Sequence, residues 1–381
     1  MLEIPLSGIK KIEEIAQSSS EYISLSQGSI KVGGIPQKVK AYVQSLLNSD
    51  KTDYYESCWG LKVLREKIAT TLNARYGVNL SVNQVLPTHG CIGGLSLLYL
   101  TLLNPGDEVI IPEPAYPAYN ILAQAARCEV KFVSCLIPGT LSSWALDVEV
   151  IKKAITPKTK MMVFSNPSNP TGNIIPPHTL EALLELCDAR GIYLVIDEAY
   201  REYVFEGEYT SAITMLHKSP WLISANSFSK SMAMSGWRVG YLLVHEQLTR
   251  HLAGMQDALL NCLNNTAQYA AMYALDHQEL TSEMYAKVLH NRDYALAKLK
   301  PLLDAGIFSV QKPTGGFFLF LRTQFADSTD LCMDILHSAK VGLIPGKTFG
   351  PSATPFIRLC YARDPEILEE GIDRLVNYFM K

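Results

Sequence analysis

The sequence predicts an α/β fold in which helices cover a largely parallel sheet. Short apolar runs typical of buried strands recur in the middle of the chain, at 161–165, 193–198 and 222–227. Segments whose apolar residues have helical spacing lie between them, as at 178–191. A helix between two strands brings the chain back to the end of the sheet at which the first strand began. This order of elements therefore favours parallel pairing of the strands.

The other elements are predicted from the same periodicities. Before the strands come a helix at 60–76 that ends at a glycine, a helix at 91–103 that ends at the turn NPGD, and the short buried strand EVIIPEPAYP. After 306 the pattern predicts four short strands and two helices: FSVQK, GFFLFL, VGLIP, PFIRLCY, 330–340 and 365–379. This last part is typical of a compact α+β unit.

These changes of pattern divide the chain of 381 residues into three parts. Residues 1–48 are expected to form an N-terminal arm and helix that pack on the last part. Residues 49–280 form the large domain, and residues 281–381 form the small domain.

Composition excludes several classes of protein. Hydrophobic residues make up 48% of the chain and charged residues 19%, as in an ordinary globular protein. The 34 basic and 37 acidic residues give a net charge of −3, which lacks the basic excess that binding to nucleic acid requires. No stretch approaches the roughly 18–20 apolar residues of a membrane span, and no secretory leader pattern is present. We therefore expect a cytoplasmic protein without nucleic acid or membrane as partner.

The eight cysteines are scattered through the chain, without a CxxC pair or a histidine at metal-ligand spacing. We expect reduced thiols and no metal site.

Polar residues end three of the predicted strands. Asn169 lies in SNPSNPTG, Asp197 and Tyr200 lie in DEAY, and Lys230 lies in SFSK. In an α/β sheet the carboxyl ends of the strands are where ligands bind. A plain turn at Asn169 and a helix cap at Asp197 are the alternatives. A buried lysine, however, is costly unless it is paired or used chemically.

Two arginines also indicate an anionic ligand. Arg238 lies between Gly236 and Gly240, where backbone crowding is relieved. A serine, a lysine and an arginine at this spacing suggest a phosphate beside a reactive amine. Arg358 lies inside the apolar run PFIRLCY and needs a carboxylate or phosphate partner unless it faces solvent on an edge strand.

Together these motifs resemble the fold-type-I pyridoxal-phosphate (PLP) enzymes, specifically the class I/II aminotransferases of the aspartate and aromatic type. SFSKSMAMSGWRVG is similar to the family's lysine signature, and PGDEV followed by PAYPAY also matches. The family's YxxxxGxxxLR region is present as Tyr55, Gly60, Leu64 and Arg65. The resemblance spans nearly the whole chain. It implies a large domain with a mostly parallel, seven-stranded type of sheet between helices. It also implies a small α+β domain built from the N-terminal segment and the C-terminal third.

The resemblance implies the roles of the residues around the cofactor ring. Lys230 would form a Schiff base with PLP and then move the substrate Cα proton. Asp197 would pair with the pyridine nitrogen. Tyr200 and Asn169 would hydrogen-bond the 3′-oxygen, and Tyr116 matches the family's aromatic residue that stacks on the ring.

For the phosphate, the resemblance implies the amides of Cys91 and Ile92 at a helix N-terminus and the side chains of Ser227 and Arg238. Tyr55 would reach the phosphate from a neighbouring subunit, so a homodimer with shared active sites is expected. The sequence departs from many relatives at Ile92, where they have Ser, Ala or Thr.

For the substrate, the resemblance implies that Arg358 binds the α-carboxylate, with Asn169 beside it. Gly28 in LSQGSIKVGGIP aligns with a family loop over the substrate, but the P-D-F part of that loop is absent.

The implied function is transfer of an amino group from an L-amino acid to a 2-oxo acid in a ping-pong reaction. A C–S β-lyase of the same fold would share nearly every residue named above. The third alternative is a non-catalytic PLP-binding module. The sequence shows no basic or helix-turn-helix extension that would favour this alternative.

The residues predicted around the mouth of the site favour neutral or aromatic amino donors. Lys31 is the single basic residue in the loop after Gly28. Aromatic surface is expected there from Tyr55, Trp59, Tyr116 and Phe349.

Overall fold

A computed structural model describes residues 7–140 and 142–381. The first six residues of the predicted N-terminal arm lie outside this range. The α-helices are α1 (Gly8–Ala16), α2 (Gln37–Leu46), α3 (Lys62–Tyr76), α4 (Gly90–Leu102), α5 (Ala118–Ala125), α6 (Val148–Ala154), α7 (Pro177–Asp188), α8 (Phe228–Ser231), α9 (Glu246–Leu260), α10 (Asn265–Asp276), α11 (Glu279–Asp304), α12 (Thr329–Asp334) and α13 (Pro365–Met380).

The strands are β1 (Ile23–Ser24), β2 (Val85–Thr88), β3 (Glu108–Glu113), β4 (Glu129–Ser134), β5 (Thr159–Ser165), β6 (Tyr193–Asp197), β7 (Leu222–Ser227), β8 (Gly240–Leu243), β9 (Ser309–Val310), β10 (Phe318–Arg322), β11 (Val341–Gly342), β12 (Ile344–Pro345) and β13 (Phe356–Cys360).

The large domain is built on a seven-stranded sheet in the order β2-β8-β7-β6-β5-β3-β4. Only β8 runs antiparallel to its neighbours β2 and β7, and the other pairs are parallel. The predicted α/β class with a mostly parallel sheet is confirmed. Sequence periodicity did not reveal β2, β4 and β8.

Both faces of this sheet are buried, which explains why the central strands are apolar without interruption. Val163, Val195 and Ile223 pack in a core with residues of α4 and α5, whereas Met162 and Leu194 pack in a second core on the side of α7. All five side chains are inaccessible to solvent.

The register of the sheet brings the ends of β5, β6 and β7 to one edge. Ser165 pairs with Asp197, which in turn pairs with Ala225. The residues that follow these strands in the sequence therefore meet at this edge, as the strand-end motifs predict.

The small domain has a four-stranded antiparallel sheet in the order β12-β13-β10-β9, and β1 pairs with β11 in a separate parallel ribbon. Helix α11, 26 residues long, packs on α13. Thus the N-terminal strand and the C-terminal third of the chain share one domain.

The N-terminal helices pack in two different places. Helix α1 contacts β11 and β12 of the small domain. Helix α2 instead packs on α10, where Tyr42 stacks on Tyr273 with ring centroids 4.6 Å apart. Its buried residues Val39 and Leu46 explain this placement, because they give α2 an apolar side to cover.

Across the described ranges, no helix is both long enough and apolar enough to cross a membrane.

Candidate active site

Lys230 lies on the single helical turn α8, directly after β7. Ser227 begins this turn, and its Oγ accepts a hydrogen bond from the Ser229 amide at 3.1 Å. The Lys230 Nζ donates a hydrogen bond to the carbonyl oxygen of Gly28. Burial lowers the pKa of Lys230 to about 8, because a dry site disfavours the charged amine.

Asp197 ends β6 as a buried carboxylate with three donors around it. Oδ1 accepts hydrogen bonds from the Ala199 amide at 3.0 Å and from the Cys91 thiol at 3.4 Å. Oδ2 accepts one from the Tyr119 hydroxyl at 2.9 Å. Burial raises the pKa of Asp197, and these hydrogen bonds counteract part of that rise.

Tyr200 and Asn169 lie beside Asp197 at the same edge of the sheet. The Asn169 Nδ2 is 3.4 Å from the Tyr200 hydroxyl oxygen, and the Asn169 amide donates to the Ser165 Oγ at 2.9 Å. Burial raises the pKa of Tyr200 well above its ordinary value. Tyr200 therefore presents a neutral hydroxyl at neutral pH.

Arg358 on β13 of the small domain reaches into this cluster and is completely buried. Nη1 donates to the Asn169 Oδ1 at 2.9 Å, and Nη2 donates to the Ser26 carbonyl oxygen. Nε has no partner, and within the described ranges no carboxylate pairs with Arg358. Burial lowers the pKa of Arg358 to about 10. A buried cation with an unused donor is suited to bind an anionic ligand.

Helix α4 begins at this edge without a side-chain cap, since His89 makes no capping hydrogen bond. Gly90 has φ +70°, and a Cβ there would lie 2.5 Å from the Arg238 Nη2. A Cβ on Gly240 would lie 2.8 Å from the Cys91 amide nitrogen. Arg238 thus packs directly against the open N-terminus of α4, where free amides and a guanidinium form a cradle that fits a phosphate.

The remaining predicted residues are placed as follows. A Cβ on Gly28 would lie 2.9 Å from the Phe318 ring, so this glycine packs closely at the site. Tyr116 is partly buried, and burial raises its pKa to about 12. Ile92 is 37% exposed. Tyr55 is 81% exposed at the surface, and no described hydrogen bond joins it to the site of its own chain.

The structure also brings Tyr119 and Ser26 to the site, and sequence reasoning did not single out either residue. Tyr119 follows Tyr116 by three residues at the start of α5, so helical spacing within PAYPAY was a usable signal. Ser26 contributes its backbone carbonyl oxygen. Since every residue has this group, the residue type could not indicate the contact.

This arrangement fits pyridoxal phosphate. The cradle at α4 fits its phosphate, the Asp197 carboxylate fits a protonated ring nitrogen, and the Lys230 amine fits its aldehyde. The unpaired Arg358 lies on the small-domain side of the same cluster, where it can bind a carboxylate.

Comparisons with known proteins agree with this geometry. The sequence model of the family described as aminotransferase class I and II matches residues 20–375. The chain is 30% identical to a probable N-acetyl-LL-diaminopimelate aminotransferase of Bacillus subtilis, over 100% of this chain and 94% of that protein. It is 31% identical to an arginine–pyruvate transaminase of Pseudomonas aeruginosa, over 94% of this chain and 90% of that protein.

A solved structure with the same fold is an aspartate aminotransferase of Thermotoga maritima. The TM-score is 0.90 at 29% identity, and the match covers 99% of this chain and 98% of that one. With the family match extending over nearly the whole sequence, the chain belongs to the class I and II aminotransferases of fold type I, PLP-dependent enzymes that transfer an amino group from an amino acid to a 2-oxo acid.

Proposed function

We propose that Lys230 is the residue that holds PLP covalently and carries the proton during transamination. The observation that supports this most is the position of its partly buried amine, with a pKa lowered to about 8, in one cluster with the buried Asp197 and Arg358. When bound, PLP supplies an electron sink that stabilises negative charge at the substrate Cα. An amine with such a pKa is neutral in an appreciable fraction near physiological pH and can accept the Cα proton.

The other residues bind and orient. Asp197 holds the ring nitrogen, and the hydrogen bonds from Tyr119 and Cys91 keep its carboxylate in place. Tyr200 and Asn169 lie side by side, where they can donate to the ring oxygen.

Ser227, Arg238 and the first amides of α4, at Cys91 and Ile92, would hold the phosphate, and Tyr116 would stack on the ring. The positions of these residues around a single edge of the sheet support the assignments.

Arg358 binds the carboxylate that amino donor and 2-oxo acceptor have in common. Its guanidinium is already held by Asn169 and Ser26, so little side-chain freedom is lost when a carboxylate binds. Both half-reactions can therefore use the same arginine.

To test Lys230, the holoenzyme is reduced with borohydride and digested, and the peptide that carries the cofactor is identified by mass spectrometry. We expect the adduct on Lys230, because it is the lysine placed beside Asp197 and the phosphate cradle. Lys230→Ala should still bind PLP through the phosphate cradle and lose nearly all transamination, by a factor of at least about 10³. An adduct on another lysine would overturn the assignment. Release of pyruvate and ammonia from cysteine conjugates, with no amino transfer, would show a C–S β-lyase instead.

We propose neutral or aromatic amino acids as donors. The Arg358 guanidinium lies 4.4 Å from the Phe318 ring centroid and 4.9 Å from that of Phe349. Tyr116 is close enough to interact electrostatically with Arg358. Aromatic walls around the carboxylate site favour apolar side chains.

A comparison of kcat/KM for phenylalanine and aspartate tests this substrate class, with 2-oxoglutarate as acceptor. We expect phenylalanine to lead. A lead for aspartate of more than about tenfold, roughly 1.4 kcal/mol in transition-state binding, would contradict the aromatic pocket.

The proposal includes a cytoplasmic homodimer. All eight cysteines are free thiols, which suits a reducing compartment. Tyr54 and Tyr55 are 75% and 81% exposed, and Leu259 at the end of α9 is 51% exposed. Large apolar side chains exposed in this way favour contact with a second copy, which would bring Tyr55 to the partner's phosphate cradle.

A further inference from the structure

Arg363 is a fully buried arginine that follows β13, and its side chain does not face the catalytic cluster. It is 1% exposed. Its guanidinium donates to three backbone carbonyl oxygens of one short segment: to Ser24 from Nε at 2.8 Å, to Gln27 from Nη2 at 2.6 Å and to Ser29 from Nη1 at 2.7 Å. Within the described ranges none of its hydrogen-bond or ion-pair partners is a carboxylate. Residues 24–29, here called the 24–29 loop, therefore wrap around this one side chain.

Only an arginine can donate hydrogen bonds to all three of these carbonyl oxygens at once. Its planar fork carries five N–H donors that point in fixed, separate directions, whereas the three donors of lysine radiate from one atom. Burial of a charged group is costly unless its donors are used, and here the loop carbonyls use them. The loop and Arg363 thus hold each other in one conformation.

The opposite side of the same loop faces the active site. The Ser26 carbonyl oxygen accepts a hydrogen bond from Arg358, and the Gly28 carbonyl oxygen accepts one from Lys230. A single layer of peptide therefore separates Arg363 from the two cations of the site.

Other contacts hold mainly the ends of the loop. The Cys360 amide donates to the Leu25 carbonyl oxygen at 2.8 Å, and the Lys31 amide donates to the Ala362 carbonyl oxygen at 3.1 Å. The Ser26 side chain donates to Glu13. Between these points, the backbone around Gln27 and Ser29 is tied to the small domain by Arg363.

We propose that Arg363 is a positioning residue for transamination. It holds the 24–29 loop in the position from which the Ser26 and Gly28 carbonyl oxygens orient Arg358 and Lys230. This inference rests on the proposed function for the roles of those two residues. Loss of Arg363 should weaken binding of the amino acid carboxylate, because Arg358 loses its fixed acceptor. It should not weaken PLP retention, because the phosphate cradle lies on α4 and Arg238.

The test compares Arg363→Met with Arg292→Met. Arg292 is the control for loss of a buried arginine, since it is 3% exposed and donates to the Pro313 carbonyl oxygen at 3.1 Å. Unlike Arg363 it is also ion-paired, with Glu206 and Asp293, and it does not contact the 24–29 loop. We expect Arg363→Met to raise KM for the best amino donor by about tenfold or more, with a smaller fall in kcat, because Lys230 stays on α8 and loses only its contact with Gly28. The dissociation constant of PLP should be unchanged in both variants, and Arg292→Met should keep the KM of the wild type.

Two further measurements separate positioning from a general loss of stability. In an Arg358→Lys background, Arg363→Met should raise KM little further, because the two changes act on one interaction. In the cofactor-free protein, Arg363→Met should speed hydrogen exchange of the amides at 27–29. Arg363→Lys, which keeps the charge but loses the fork, should fold and still raise KM.

An unchanged KM in folded Arg363→Met or Arg363→Lys overturns the proposal, and so does an equal rise of KM in the Arg358→Lys background. Unchanged exchange at 27–29 also overturns it. Failure of the proposed function would be seen differently, as a wild-type enzyme whose cofactor is not on Lys230.

Discussion

The partly buried Lys230 and the buried Arg358 are two basic groups in one pocket, and Asp197 is the buried carboxylate near them. Arg358 lowers the pKa of Lys230, while Asp197 acts in the opposite direction. Burial also raises the pKa of Asp197. The pocket therefore shifts the pKa values of Asp197 and Lys230 towards each other. Such a shift requires a dry site, which the two domains create jointly.

The pH dependence of Lys230 follows from its desolvation and, to a smaller extent, from these neighbours. In the cofactor-free protein, acetylation of Lys230 by a small reagent should reach half its maximal rate near pH 8, because only the neutral amine reacts. Mass spectrometry of the Lys230 peptide at a series of pH values measures this midpoint.

Two variants test the sign of each contribution. Arg358→Met removes a cation and should move the midpoint to higher pH, whereas Asp197→Asn removes an anion and should move it to lower pH. A midpoint near 10.4, the ordinary value for lysine, would show that Lys230 is not desolvated in the folded protein.

At the scale of elements, helix α4 and strand β8 meet backbone to backbone at the phosphate cradle. Gly90 and Gly240 permit this approach, and Arg238 fills the space that a side chain on Gly90 would need. The two elements are far apart in the sequence and become neighbours only through the antiparallel pairing of β2 with β8. The cradle is therefore a property of the sheet order.

Gly90→Ala should raise the dissociation constant of PLP by about tenfold or more, close to 1.4 kcal/mol. The added Cβ would displace the Arg238 guanidinium, and φ +70° strains any residue except glycine. Titration of the cofactor-free protein with PLP, followed by absorbance, gives the constant.

Gly77→Ala is the matched control for this backbone strain. Gly77 ends α3 with φ +64°, and a Cβ there meets nothing within 4 Å. It should lower the melting temperature and leave PLP binding unchanged. Equal PLP affinity in the Gly90→Ala and Gly77→Ala proteins would contradict the assignment of the phosphate site to the N-terminus of α4 and Arg238.

At the scale of the whole molecule, the active site draws on both ends of the chain. The large domain supplies the strand ends, the C-terminal strand β13 supplies Arg358, and the N-terminal segment supplies Ser26 and Gly28. Parallel pairing of β1 with β11 fixes that N-terminal segment to the small domain. A movement of one domain against the other would therefore change how Arg358 faces Lys230.

The proposed homodimer gives the surface residue Tyr55 a function. In sedimentation velocity we expect a dimer at assay concentration. Tyr55→Phe should remain a dimer, while its dissociation constant for PLP rises by about tenfold or more, the value of one hydrogen bond to a charged group. Tyr54→Phe, a change at the adjacent exposed tyrosine, is the control and should bind PLP as the wild type does. A fully active monomer would contradict the shared site.

The sequence alone determined the class of fold and most of the elements that carry the site. Buried parallel strands are apolar along their whole length, so 161–165, 193–198 and 222–227 were recognisable, and polar residues at their ends pointed to one edge of the sheet. The strands β2 and β8 were not predicted, because four residues are too few to show a hydrophobic period.

The tertiary structure alone decided which groups touch. Hydrogen bonds from Arg358 to Ser26 and from Lys230 to Gly28 end on backbone oxygens, which every residue possesses, so residue type could not reveal them. The lowered pKa of Lys230 likewise depends on burial by segments from both ends of the chain. Desolvation is a property of the packed molecule, and for that reason the chemistry of this site appears only when the two domains are assembled.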